Sequence, residues 1–281
     1  MVMPISDALA DSTAFAAAKS RQARSPGRYL FASVLAGVYV GVAVALLVAV
    51  SAPFAAAQSP ATKLVQGAVF GVALTLIVFA GAELFTGNAM FLLQGLHGRR
   101  VRVRDLALVW LLSLVGNLAG SVGFAALVHG GGTLSGSGSP PAVLVASLTA
   151  AKSAATGPQL LWRAVLCNML VCLALWMAAR ASGDGAKLVV LWWALLAFIG
   201  SGFEHSVANM TLFSLGVLQG SASWADLARN LAWTVPGNVL GGGLLVGLGY
   251  AWLAGDRPVL TGNAGVAAPA APLTSVGAEA S

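Results

Sequence analysis

Long apolar runs almost free of charge dominate this sequence and leave few folds open to it. A helix needs ~20 residues to cross the hydrocarbon core of a membrane, and six runs reach that length. Only 9% of the residues are charged, whereas a soluble domain has about 25%. We therefore expect an all-α integral membrane protein. The expected spans are 29–54, 64–98, 106–129, 158–179, 188–225 and 231–254.

We expect the chain to consist of three regions, with all six spans in the second. Residues 1–27 form an N-terminal segment, 28–255 the six-helix transmembrane domain and 256–281 a Pro/Ala-rich tail expected to be disordered. Because Asp7 and Asp11 precede the cations of the first segment, it does not have the charge order of a secretory signal peptide.

The net charge of +6 comes from short cationic clusters between the apolar runs. If the N-terminus is cytoplasmic, eleven of the fifteen Lys and Arg residues fall on that side, as the positive-inside rule requires. We therefore expect both termini in the cytoplasm. No basic stripe with interleaved aromatic residues occurs, so nucleic acid is not an expected partner. The eleven cations are Lys19, Arg21, Arg24, Arg28, Arg99, Arg100, Arg102, Arg104, Arg180, Lys187 and Arg257.

Two motifs recur in the chain at one spacing. The segments 81–88 and 202–209 share Gly, Glu and Asn at matching positions, with an offset of 204 − 83 = 121 residues. The segments 116–120 and 237–241 share Gly, Asn and Gly at the same offset. This pattern predicts a duplicated unit of three spans, and because three is odd, the second copy is inverted in the membrane. Inverted repeats build many transport folds, with the binding region near the midplane.

The second and fifth runs are too long for one span, and each carries a glutamate, Glu83 or Glu204. We predict broken helices at both places, since unpaired backbone survives at membrane depth only inside protein or beside a water-lined cavity. The carboxylates could form a proton relay or a cation site. We favour a structural role, in which they accept hydrogen bonds from amides exposed at the breaks. The repeated Asn88, Asn209, Asn117 and Asn238 are expected to support the same loops.

His205 has Leu84 as its counterpart in the first repeat, so the repeated architecture does not require a histidine there. A buried structural histidine is the simpler reading, but the position beside a midplane break favours a pore-facing group that donates a hydrogen bond or a proton to substrate. Lys152 is expected in or just after a flexible outer loop. It is either a solvated loop residue or a cation that concentrates anions in a vestibule.

Enzyme signatures are missing from the sequence. His97 and His129 lie at span ends, so His205 is the one histidine deep within a span, which excludes bis-histidine haem ligation by this chain alone. Cys167 and Cys172 have no metal-site spacing. We expect neither an enzyme nor a bound metal or cofactor.

Three segments resemble signatures of the formate–nitrite transporter family. The segments are 81–87, 164–174 and 202–210, and the likeness covers roughly residues 25–250. Residues 25–26, 36–41, 191–193 and 209–213 most resemble the NirC-type nitrite transporters within that family. Formate and hydrosulfide channels are the nearest alternatives. A pore for a neutral solute such as glycerol or water is a further alternative, which the lysine and the histidine disfavour.

The resemblance implies an aquaporin-like fold in a homopentamer, in the inner membrane of a bacterium, with one pore in each protomer. It implies that nitrite, or formate, passes through the pore and that His205, Thr86 and Asn168 line the central chamber, while Lys152 attracts the anion. It also implies apolar constrictions, formed by Phe70, Leu74, Phe85, Val171 and Phe198. Because apolar gates disfavour a bare charge, we expect the anion to take up a proton from His205 and cross as the neutral acid. Simple conduction of the anion is the alternative.

Overall fold

The computed structural model describes residues 2–134, 136 and 138–255. The tail 256–281, with its expected disorder and Arg257, lies outside the described residues. Helices make up the described fold, with two stretches wound as π-helix. In chain order they are α1 Ile5–Gln22, α2 Pro26–Ala56, α3 Thr62–Phe70, α4 Val72–Leu76, π1 Ile77–Gly81, α5 Phe85–His97, α6 Val103–Gly130, α7 Pro140–Ala154, α8 Gly157–Arg180, α9 Asp184–Gly200, α10 Ser206–Leu218, α11 Trp224–Asn238, π2 Val239–Leu248 and α12 Gly249–Leu253.

The predicted all-α fold with six spans is confirmed. Within the residues that the structure describes, five continuous helical stretches are long and apolar enough to cross a membrane. They are α2, the α3–α4–π1 stretch, α6, α8 and the α11–π2–α12 stretch. The fifth crossing is made of two shorter pieces, α9 with 17 residues and α10 with 13.

The second and fifth spans break at matching positions of the repeat, as predicted. Gly81 (φ +81°) ends π1, and Gly202 (φ +73°) follows α9. This left-handed conformation is readily available to glycine. The chain then runs extended through Leu84 and His205 before α5 and α10 begin. Each half-span therefore starts a new helix in the interior of the protein.

Glycines bring the paired spans of each repeat into backbone contact. A Cβ atom added to Gly120 of α6 would lie 2.0 Å from the carbonyl oxygen of Val34 in α2. One added to Gly241 of π2 would lie 2.0 Å from the carbonyl oxygen of Val165 in α8. Small residues permit this kind of approach between membrane helices. The two contacts are equivalent under the repeat.

Two helices lie outside the six spans. Helix α7 was not predicted, because Pro140 and Pro141 were interpreted as the end of a loop, whereas they occupy the first turn of the helix, where proline is tolerated. Helix α1 packs against the spanning domain, with Ser12 hydrogen-bonded to Gln94 of α5. Both helices bring a lysine to a break, as described below.

Candidate functional site

One asparagine holds each broken span in place. Asn117 accepts a hydrogen bond from the Phe85 amide (2.9 Å) and donates to the carbonyls of Ser33 (2.8 Å) and Glu83 (2.9 Å). It thereby joins the loop, the start of α5 and α2.

Asn238 does the same in the second repeat. It accepts from the Ser206 amide (2.9 Å) and donates to the carbonyls of Ala164 (2.8 Å) and Glu204 (3.0 Å). The amide at the start of a helix has no partner within the helix. These side chains therefore satisfy groups that the breaks leave unpaired.

The carboxylate of Glu83 is bound by side chains from three helices. Its Oε2 atom accepts from Lys19 Nζ (2.5 Å), Tyr29 Oη (2.6 Å) and Asn88 Nδ2 (3.3 Å). Sequence reasoning missed Lys19 and Tyr29, because α1 and α2 carry no motif that links them to the break. The lysine balances the charge of the buried carboxylate, as buried charges require.

Glu204 has a matching arrangement at the other break. Its Oε2 atom accepts from Lys152 Nζ (2.7 Å) and Asn209 Nδ2 (2.7 Å). The side chain of Glu204 is 3% exposed and that of Lys152 is 18% exposed. We expected these glutamates to accept from loop amides. That expectation is wrong, since side chains provide the bonds to both carboxylates.

His205 caps the start of α10 and faces the other half-span. The Ala208 amide donates to its Nδ1 atom (3.1 Å), so the ring is neutral and Nε2 carries the hydrogen. Nε2 lies 3.0 Å from Thr86 Oγ1 on α5 and donates to it in this tautomer. The imidazole also stacks on Phe198, with ring centroids 5.9 Å apart. The two half-spans therefore meet at the His205–Thr86 pair.

Asn168 on α8 links this pair to the sixth span. Its Nδ2 atom donates to the carbonyls of Thr86 (3.0 Å) and Asn238 (2.7 Å). Its Oδ1 atom is buried without a hydrogen-bond partner among the described residues. The structure thus places Asn168, Thr86 and His205 in one chain of contacts.

A small apolar cavity has His205 in its wall. Its volume is about 10 Å³, roughly the space that one water molecule requires. In this conformation it has no room for a solute larger than water. Five of its ten lining residues were not predicted, because nothing in the sequence shows which apolar residues of different helices meet at the cavity. The lining residues are Phe70, Leu74, Val171, Phe198 and His205, with Val40, Ala73, Ile77, Leu84 and Leu195 as those not anticipated.

Phe85 occupies a different place from the other constriction candidates. Its ring packs edge-on to Trp110, with centroids 6.2 Å apart. It lines an apolar groove of about 440 Å³ between α6 and α11, which also includes Leu111 and Pro236. The cavity beside His205 receives Leu84 instead.

The arrangement suits the passage of a small solute that sheds water. Apolar side chains form the wall of the cavity and His205 is its polar group, while the Thr86 hydroxyl contacts the histidine ring. A paired lysine and glutamate lies at each of the two breaks.

Comparison with known proteins gives consistent matches. The formate/nitrite transporter family model matches residues 9–252. The nitrite transporter NirC of Escherichia coli (strain K12) is 41% identical over 245 residues, covering 84% of this chain and 88% of the relative. A solved FNT family ion channel has a TM-score of 0.81 at 40% identity, covering 88% of this chain and 98% of that one. A pentameric formate channel with formate bound has a TM-score of 0.69 at 25% identity, covering 82% and 98%.

Proposed function

The chain belongs to the formate/nitrite transporter family, and on that premise we propose that it conducts nitrite across a membrane along the cavity beside His205. Proteins of this family are transporters and channels, not enzymes. The small apolar cavity with one imidazole in its wall is the observation that carries the proposal.

Nitrite is favoured over formate by the relatives. The nitrite transporter matches at 41% identity, and a probable formate transporter of Methanothermobacter thermautotrophicus matches at 37%. Formate is the second candidate, because both anions are small, monovalent and conjugate to weak acids. From the same likeness we propose that the protein is a homopentamer in a bacterial inner membrane, and from the positive-inside rule that both termini are cytoplasmic.

The apolar wall sets the form in which the substrate passes. A bare anion loses its hydration there without gaining a counter-charge, whereas the neutral acid loses much less. We infer that nitrite takes up a proton beside His205 and crosses the apolar wall as nitrous acid. Conduction of the bare anion is the competing mechanism.

The hydrogen bonds of His205 define what proton delivery requires. The neutral ring donates its one N–H, on Nε2, to Thr86, and it can hold the anion when the anion takes the place of that hydroxyl. If the ring gives up that proton, Nδ1 must carry a hydrogen as well, since the product would otherwise be an imidazolate. The Ala208 amide then loses its acceptor, at a cost of about 1 kcal/mol, typical of a lost helix cap.

Lys152 can attract the anion only at short range. Its ammonium is partly exposed, but Glu204 balances its charge at 2.7 Å. An exposed charge without a partner would act from farther away. We propose that Lys152 receives the anion near the α7 side, while Lys19 occupies the equivalent place near α1.

Nitrite flux and electrical current in proteoliposomes test this function together. We expect nitrite uptake that carries little net current and falls when the proton supply falls. The His205→Phe variant removes the donor, so the pH dependence of uptake should change while the oligomer persists. The matched control is His97→Phe at an exposed position.

Two results would contradict the proposal. Nitrite uptake equal to that of empty liposomes would exclude nitrite transport. Unchanged flux and pH profile in His205→Phe would exclude the histidine as the central group. Osmotic swelling in glycerol, without anion flux, would instead favour the neutral-solute pore.

A further inference from the structure

The two repeats make equivalent backbone contacts, but the side chains beside these contacts differ between them. Positions in α2 and α8 correspond with an offset of 131, because Val34 contacts Gly120 and Val165 contacts Gly241 (165 − 34 = 131; 241 − 120 = 121). The Glu83 amide bound to the Ala32 carbonyl corresponds to the Glu204 amide bound to the Arg163 carbonyl, with the same two offsets. The repeats can therefore be compared residue by residue.

Next to these contacts, the glycine lies on opposite helices in the two repeats. Gly37 of α2 corresponds to Asn168 of α8, and Ser121 of α6 corresponds to Gly242 of π2. A Cβ atom on Gly37 would lie 2.2 Å from the Asn117 carbonyl oxygen, so the first repeat has no room for a side chain there. The second repeat accommodates an asparagine at this position.

Gly242 provides the room for that asparagine. A Cβ atom added to Gly242 would lie 2.3 Å from Asn168 Nδ2 and 2.5 Å from Cys172 Sγ. Contacts below 3.0 Å force a displacement. Any residue other than glycine at 242 therefore competes with the amide of Asn168 for one space.

The acceptor of the same amide lies where the sixth span changes its winding. Helix α6 is regular throughout, whereas α11 changes to π-helix directly after Asn238. Such π segments are frequent at functional sites. The Asn238 carbonyl accepts from Asn168 Nδ2 at 2.7 Å.

The second bond of that amide reaches the candidate pathway. Asn168 Nδ2 also donates to the carbonyl of Thr86, whose hydroxyl lies against His205. We propose that Gly242 is a positioning residue: its missing side chain leaves the space in which the Asn168 amide is held, so that Asn168 fixes Thr86 opposite His205. The expected effect on nitrite flux rests on the proposed function, whereas the expected effect on the stability of the oligomer rests on packing alone.

A double-mutant cycle between positions 242 and 168 tests the proposal. Gly242→Ala, Asn168→Ala and the double variant are compared for nitrite flux, pH profile and melting temperature of the oligomer. We expect Gly242→Ala to lower flux about tenfold, the rate equivalent of one lost hydrogen bond. In the Asn168→Ala background the same change should lower flux less than about threefold, because coupled residues are not additive.

The new Cβ atom contacts Cys172 whether or not Asn168 is present. The difference between the effects of Gly242→Ala in the wild-type and Asn168→Ala proteins therefore reports on Asn168. Gly249→Ala is the matched control in the same span, since a Cβ atom there meets nothing within 4 Å. The pH profile of Gly242→Ala should follow that of Asn168→Ala, a result that loss of folding alone would not give. Equal effects of Gly242→Ala in both backgrounds, or unchanged flux, would overturn the proposal.

A second variant tests the proposal if Gly242→Ala does not assemble into an oligomer. The pair Asn168→Gly with Gly242→Ser installs the residues of the first repeat, and it should recover the oligomer but not the wild-type flux. Failure of this pair to assemble would overturn the proposal. If the wild type conducts no nitrite, the proposed function fails, while the melting temperatures of the cycle still test the coupling of the two positions.

Discussion

Replacing Asn238 by alanine should destabilise the protein by an amount that the hydrogen bonds define. The substitution removes the acceptor of the Ser206 amide and the donor to the Glu204 carbonyl. Neither group has a helical partner, because one begins α10 and the other lies in the break. The Ala164 carbonyl, which Asn238 also binds, lies within α8 and keeps its helical donor.

Two buried groups are therefore left unpaired, at about 1–3 kcal/mol each, so the expected loss is about 2–6 kcal/mol. Unfolding in mixed micelles with increasing dodecyl sulfate, followed by tryptophan fluorescence, measures this loss. Asn117→Ala should lose a similar amount, because its bonds to Phe85 and Glu83 are equivalent.

Ser121→Ala is the control for these two variants, since its hydroxyl is buried without a partner among the described residues. We expect it to change stability by less than about 1 kcal/mol. If Asn238→Ala proved as stable as Ser121→Ala, the asparagine would not be the residue that supports the break.

Two further predictions concern the ion pair and the cavity. Lys152→Met leaves Glu204 buried without its cation, so we expect a loss of about 3–5 kcal/mol and a lower yield of oligomer on size-exclusion chromatography. The double variant with Glu204→Gln should recover the yield, and a yield as low as that of the single variant would contradict the pairing. Leu84→Ala removes a side chain from the cavity wall, so it should raise anion flux and weaken discrimination against acetate in a liposome flux assay. Unchanged selectivity would show that Leu84 does not narrow the path.

The sequence predicts the six spans because their lengths are fixed by the membrane and their composition by lipid. It predicts both breaks because the repeat places Glu83 and Glu204 in equivalent settings. The start of the fourth span at Gly157 lies one residue from the expected position. These features depend on local composition and on a visible duplication.

Features that depend on contacts across the chain were not predictable in this way. Lys19 lies 64 positions before Glu83, and nothing in the sequence around it marks the pairing. Helix α7 has a proline pair that marks a helix start as readily as a loop end. The π-helical winding that contains Gly242 leaves no periodic signal in a run that is apolar throughout.

The roles of His205, Thr86, Asn168 and Lys152 in conduction stay predictions. The structure brings the first three together and gives Lys152 a glutamate partner.

Blocking the cavity is the most direct test of the claim that the conduction path runs beside His205. Leu74→Trp adds an indole to the wall of a cavity of about 10 Å³. Leu127→Trp makes the same change at a side chain that is 74% exposed. Nitrite flux per assembled oligomer should fall to the level of empty liposomes for Leu74→Trp and stay at the wild-type level for Leu127→Trp. Wild-type flux through an assembled Leu74→Trp oligomer would contradict this path.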